Sequence, residues 1–105
     1  MSSRPKAKPQ VSGALDRGAA EDLARTLRVV ADPTRLQILS IVLGSANERA
    51  TVGQLADVLG LRQPTVTHHV RILLDDGFLT RQQEGKLGWL SVDPARRGAV
   101  EDFLR

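Results

Sequence analysis

The chain contains no cysteine and no tyrosine. Without thiols it can form no disulfide, no thiolate metal site and no thiol redox switch. Its aromatic side chains are Trp89, Phe78 and Phe103, so a core has to be built from Leu, Val, Ile and Ala. No apolar run approaches the about 20 residues that a membrane-spanning helix needs. The stretch Met1 to Gln10 is polar and Pro-rich, unlike a secretory signal. These absences lead to the expectation of a cytoplasmic protein with no membrane partner. There is no Gly-rich phosphate loop and no pair of carboxylates in a recognisable pocket. Asp75 and Asp76 stand beside Gly77 and read as solvated turn residues. Nothing therefore points to an enzyme, and nothing calls for a cofactor.

A length of 105 residues leaves room for one domain. A domain this small buries a modest fraction of its surface, so a core shared with a second copy would stabilise it. The net charge is +3, and its distribution says more than its size. Arg4, Lys6 and Lys8 make the tail basic with no acid nearby. Arg62 and Arg71 lie in one acid-free stretch, and Arg81 and Lys86 flank Glu84 in another. Such clustering suits a polyanionic partner, although charge alone equally fits a solubilising surface.

Residues 1–13 read as a disordered basic arm and residues 14–105 as the folded domain. Helical spacing begins near Leu15 and runs through Ala19, Leu23, Leu27 and Val30. Asp32-Pro33 marks a break and a restart, with Asp32 as N-cap and Pro33 in the first turn. Leu36, Leu39 and Leu43 line one face of this second helix, broadened by Ile38, Ile41 and Val42. Gly44 is expected to end it in the left-handed conformation, and residues 45–50 to form a polar loop. Thr51 and Gln54 have capping-box spacing and open a third helix that Gly60 stops. A fourth helix starts near Gln63-Pro64, because proline is tolerated only in the first turn, and closes at Gly77. The period then changes to that of a hairpin, Leu79 to Glu84 and Leu87 to Val92, turning at Gly85-Lys86. Leu87 and Trp89 should face one side of it, Leu90 and Val92 the other. Asp93-Pro94 opens a last helix with Val100, Phe103 and Leu104 on its apolar face.

Two short helices joined by a Gly-containing turn and followed by a hairpin make a winged helix-turn-helix. Leu55 packs inward, Ala56 is small enough for close helix approach, and Gly60 permits the turn. At 100° per residue, Val66, Val70 and Leu73 of the fourth helix form a core stripe with Leu74 at its edge. Thr65, Thr67, His68 and Arg71 lie on or beside the opposite face, where they can reach base edges in a major groove. Any solvated helix has a polar outer face; the two-helix motif is what favours DNA. The wing adds Arg81 and, at its tip, Lys86, suited to phosphate or minor-groove contacts. The candidate DNA-binding residues are thus Thr51, Gln63, Thr65, Thr67, His68, Arg71, Arg81 and Lys86. His68 and His69 diverge by about 100° and cannot chelate one ion from one face. His69 falls at the edge of the core stripe as a packed or capping residue. Leu15, Leu23, Leu27, Val100, Phe103 and Leu104 are surplus apolar residues of the terminal helices and the candidate dimer interface.

Three stretches together resemble one known family. They are VADPTRLQILSIVL (residues 30–43), TVGQLADVLGLRQPTVTHHVRILLDDGFL (51–79) and EGKLGWLSVDP (84–94). Their order and motifs are similar to those of the ArsR/SmtB transcriptional regulators. The resemblance implies a mainly α fold with topology α-α-α-α-β-β-α, a homodimer joined by its first and last helices, and repression at a palindromic operator of double-stranded DNA. The family's metal sites are absent. Thr51 and Gly53 stand where a third-helix site has a Cys-x-Cys pair, and Pro94 and Arg96 where a last-helix site begins. Sulfur-sensing members need cysteines. The expectation is therefore a repressor with no metal and no cofactor, released by a signal that does not act on thiols. A winged-helix module that binds a protein instead of DNA is the alternative. Arg71, Lys86 and the basic tail argue against it, and salt-dependent DNA binding separates the two.

Overall fold

Short-range chemistry starts each helix in the computed structural model, which describes residues 9–105. The basic arm expected over residues 1–13 falls largely outside them; residues 9–16 carry neither helix nor strand. Helix α1 (Arg17–Val30) opens two residues later than its apolar spacing suggests. The reason is Asp16, whose carboxylate accepts the Ala19 N–H at 2.8 Å and so occupies the cap position. Asp32 caps α2 (Pro33–Gly44) in the same way, accepting the Arg35 N–H at 3.0 Å. Thr51 and Gln54 complete a reciprocal capping box at the start of α3 (Val52–Leu59). Asp93 caps α5 (Pro94–Phe103). Helix α4 (Gln63–Asp75) has Arg62 at its cap position and no side-chain cap.

Gly60 (φ +67°) stops α3, and Gly77 (φ +77°) stops α4. At the latter the Phe78 N–H donates to the Leu73 carbonyl and the Gly77 N–H to the Leu74 carbonyl. This paired closure satisfies two of the last carbonyls and turns the buried Phe78 back onto the core. Gly44 departs from expectation: it stays helical and Ser45 is the cap residue, in extended conformation. The Ser45 hydroxyl and N–H donate to the Ile41 and Val42 carbonyls, so no left-handed residue is needed there. That conformation comes later, at Asn47 (φ 57°) and Glu48 (φ 54°), within a short 3-10 turn (Ala46–Glu48).

The polar loop expected over residues 45–50 is therefore more ordered than its composition suggests. After the 3-10 turn comes strand β1 (Arg49–Ala50), which pairs antiparallel with the second strand of the hairpin, Arg49 opposite Ser91 and Ala50 opposite Leu90. The hairpin of β2 (Leu79–Glu84) and β3 (Leu87–Val92) forms as expected, giving a sheet in the order β1-β3-β2. Leu90 and Val92 are buried beneath it, while Leu87 is exposed and Trp89 half-buried on the other face. Arg49 of β1 covers that face, its guanidinium 4.1 Å from the Trp89 ring and 2.6 Å from Glu84.

The core is aliphatic except for Phe78. Ile38, Leu39 and Val42 of α2 lie at its centre with Leu55, Val66, Leu73, Leu90 and Val100. The buried stripe of α2 is thus rotated from the expected line through Leu36 and Leu43, which are only partly covered. Val100 needs correction as a surplus interface residue: it is fully buried in its own protomer. Leu104 is partly buried against the same core. Leu15, Leu23, Leu27 and Phe103 remain 58, 45, 51 and 40% exposed.

Asp32 links this frame to pH. Its carboxyl is held below the usual carboxylate range, first by the Arg35 backbone N–H, then by the Arg35 guanidinium charge. A depressed folded pKa adds stability above the unfolded value, and that stability fades as pH falls through the folded value. Asp32→Ala is expected to lower unfolding free energy by about 1 kcal/mol at neutral pH, as cap removal does. In urea melts the gap between the two proteins should close in strong acid; a gap constant with pH would refute the charge contribution.

Candidate nucleic-acid interface

Helices α3 and α4 meet through the tight turn at Gly60, with Leu55 and Ala56 buried between them. Val66, Val70 and Leu73 anchor α4 to the core, which leaves Thr65, His68 and Arg71 exposed and Thr67 half-exposed on the outer side. The hairpin projects beside α4. Between the start of α3, the outer side of α4 and the hairpin lies a cleft of about 350 Å³.

Most of the candidate DNA-binding residues converge there. Thr51, Gln63, Thr67, Arg71, Arg81 and Lys86 line the cleft, over a floor that includes Val70, Leu74 and Leu90. Thr65 and His68 do not line it and stay on the exposed side of α4. No carboxylate lines the cleft. Among the described residues, neither Arg71, Arg81 nor Lys86 forms a salt bridge. Arg71 from α4, Arg81 from β2 and Lys86 from the hairpin turn thus share one opening without an acid to neutralise them. Such a surface attracts an anion by summed potential and not by one pair.

Local contacts set how each group is presented. The Thr51 oxygen accepts the Gln54 N–H at 3.2 Å for the cap, which leaves its hydroxyl proton to donate outward. The N-terminal end of α4 has no side-chain cap; its Thr65 and Val66 N–H groups bond to the Arg62 carbonyl, and the helix dipole is what favours negative charge there. Lys86 follows Gly85 (φ +60°) in the two-residue turn between Glu84 and Leu87. The Gln83 amide donates to the Gly85 carbonyl at 3.1 Å and braces this tip.

Arg81 owes its pose to a residue that sequence reasoning passed over. Arg81 pairs across the sheet with Leu90, and Gln83 with Gly88, so both face the cleft side. The Arg81 guanidinium folds flat over Gly88, where a methyl group would sit 2.5 Å from Nε and 2.6 Å from Nη2. Only a glycine leaves that space. An isolated glycine inside a strand is itself a sign of close approach, but the sequence alone does not say what approaches.

His69 is not on the exposed side. Its side chain is 17% exposed and its Nδ1 lies 3.1 Å from Arg35 Nη1, in keeping with a packed residue. No three His, Cys, Asp or Glu side chains among the described residues converge as metal ligands. Arg96, at one position where the resemblance implies a metal ligand, is otherwise engaged. Its Nη2 donates to the Asp76 carbonyl at 3.3 Å and its guanidinium stacks 4.6 Å from the Phe78 ring.

Comparison with known proteins adds independent findings. Residues 30–82 match a helix-turn-helix domain family. The chain is 38% identical over 73 residues to a protein of Streptomyces lividans named probable mercury resistance operon repressor. It is 35% identical over 75 residues to the HTH-type transcriptional regulator NmtR of Mycobacterium tuberculosis. These alignments take in 70 and 71% of this chain but 56 and 60% of those relatives' lengths. Among solved structures, a homodimeric winged helix-turn-helix DNA-binding domain of Mycobacterium bovis superposes with a TM-score of 0.68 at 24% identity. It covers 90% of this chain and 89% of that one.

The Gly88 contact yields a prediction. The clashing atoms are the far end of a flexible side chain, so Gly88→Ala is expected to keep the fold, changing stability by about 0.5 kcal/mol. It should drive Arg81 off the sheet. The Arg81 Nε–H resonance should move while amides of Leu55, Val66 and Leu73 stay in place. An unmoved Arg81 resonance would contradict the packing described.

Proposed function

The chain belongs to the ArsR/SmtB family of winged helix-turn-helix transcriptional regulators, and from that premise we propose that it acts as a dimeric, sequence-specific repressor of transcription. The cleft with three unneutralised cations and no acid is the observation that carries this reading. In it α4 enters the major groove. Arg71 donates two parallel bonds to a guanine edge, and Thr65, Thr67 and His68 contact neighbouring bases. Gln63 and Thr51 bind the phosphate backbone at the start of each helix. Lys86 and Arg81 hold the backbone beside the wing and carry little base information.

The dimer rests on the terminal helices. Leu15, Leu23, Leu27 and Phe103 are exposed apolar side chains that a lone protomer leaves in water, and packing them against a second copy removes that cost. A twofold dimer presents two copies of α4 to a palindrome whose half-sites lie about one helical turn apart. Binding of operator DNA is the activity in this reading, with no catalysed reaction and a cytoplasmic site of action. The releasing signal works through neither thiols nor a bound metal.

Two binding titrations test this. Arg71→Ala is expected to cost on the order of 1–3 kcal/mol and relax base preference at one position of each half-site. Lys86→Ala should weaken all duplexes alike and flatten the dependence of affinity on salt. Equal loss of sequence preference from both substitutions would refute this division of roles.

Metal independence is tested separately. Operator affinity should stay the same with a chelator and with stoichiometric zinc, cobalt, nickel or cadmium. A tenfold shift at one ion per protomer, about 1.4 kcal/mol of coupling, would overturn it.

A further inference from the structure

One guanidinium joins three helices at a point the DNA contacts do not use. Arg35 stands in the first turn of α2. Its Nε donates to the Val29 carbonyl at 2.5 Å, in the last turn of α1. Its Nη1 lies 3.1 Å from His69 Nδ1, on α4. Its backbone N–H donates to Asp32 Oδ2 at 3.0 Å, and the same carboxylate oxygen lies 3.9 Å from His69 Nδ1. Arginine has donors only, so the contact with His69 requires Nδ1 to be the acceptor, with the ring proton on Nε2. The neighbouring His68 ring, exposed on the outer side of α4, packs edge-on at 5.4 Å. The chain of contacts therefore runs from the end of α1 to the back of the recognition helix.

Helix α1 has few other holds on the body of the protomer. Val30 is its one buried residue and Val29 beside it is partly buried against the same core, whereas Leu23 and Leu27, nearer the start of the helix, are exposed. A helix of 14 residues is about 21 Å long. A rotation of roughly 10° at its anchored end would then swing the far end by about 4 Å. One base-pair step of DNA is about 3.4 Å. A small change at this junction is thus comparable to a change of one base pair in what the two recognition helices can span.

We infer that Arg35 and His69 are positioning residues that set the half-site spacing this protein reads, by fixing the angle between α1 and α4. The inference rests on the proposed dimeric, DNA-binding function. The two residues touch no base. They hold each recognition helix at a set angle to the helix through which the copies join. Arg35→Lys keeps the charge but replaces a two-ended fork with a single ammonium, which cannot hold the Val29 carbonyl and His69 in the same geometry. His69→Leu removes the acceptor, and His69→Gln restores one through its amide oxygen.

The test uses the full chain and duplexes enriched by it from a random-sequence pool. These duplexes are rebuilt with half-sites moved by one or two base pairs, and as single half-sites. The wild type is expected to lose at least tenfold in affinity on a one-base-pair shift. Arg35→Lys and His69→Leu should compress that difference to under threefold, with single-half-site affinity within threefold of wild type. His69→Gln should restore the sharp preference. Thermal melts identify a variant that fails to fold; if Arg35→Lys does, His69→Leu and His69→Gln decide the matter. A folded His69→Leu with the wild-type spacing preference overturns the inference, as does equal loss on full and half-sites. A wild type that is monomeric, or that enriches no duplex, overturns the proposed function, and the inference falls with it.

Discussion

Burying Ile38, Leu39 and Val42 of α2 from water on all sides requires neighbours on all sides. Each such side chain contributes roughly 1.5–3 kcal/mol when fully covered, and among the described residues Phe78 is the one buried aromatic that adds to them. The other elements are arranged to supply that cover. Helix α4 packs from one direction and strands β1 and β3 from another, while α1 touches α2 near their junction. The position of α4 is a consequence of this packing. Val66, Val70 and Leu73 must face α2 to complete the core, and Arg71 and His68 then have only the outer side left.

The arginines divide along the same line. Arg35, Arg49, Arg96 and Arg97 each have protein partners: carbonyls, carboxylates, an imidazole or an aromatic ring. Arg35, Arg49 and Arg96 bridge separate elements, each using the planar fork to reach two partners at once. Arg71 and Lys86 have no carboxylate partner among the described residues, and Arg81 is held only by a neutral glutamine and the open face of Gly88. Electrostatic free energy is thus kept available on one face and used up inside the frame. An arginine at a position where related regulators are expected to hold a metal follows this logic. Arg96 ties α5 to the end of α4 directly, through the Asp76 carbonyl and the Phe78 ring.

Much of the fold is legible in the sequence. Helix boundaries at Asp32, Thr51, Gly60 and Gly77 depend on hydrogen bonds and backbone angles within a few residues, and such chemistry is written in consecutive letters. The change from helical to alternating spacing announced the hairpin, and the wheel of α4 separated its core side from its outer side. In the candidate interface Arg71 follows from the same wheel, and Arg81 and Lys86 from the hairpin and its turn at Gly85-Lys86. Gly44 misled because a glycine after an apolar run usually marks a helix end; here Ser45 satisfies the carbonyls that the glycine would have left bare.

What the sequence determined by itself, then, is where each element starts and stops and which of its faces is apolar. The tertiary structure alone decided what meets across distance. Strand β1 exists because Arg49 and Ala50 lie against Ser91 and Leu90, about forty residues away; two residues have no periodicity to read. Val100 looked like spare apolar surface, but its burial depends on α5 folding back over a core assembled elsewhere. The seat of Arg81 on Gly88 and the junction of Arg35 with Val29 and His69 depend on side-chain reach between separate elements. Local bonding follows from neighbours in the chain, whereas these contacts follow only from the position in which a packed core holds each backbone.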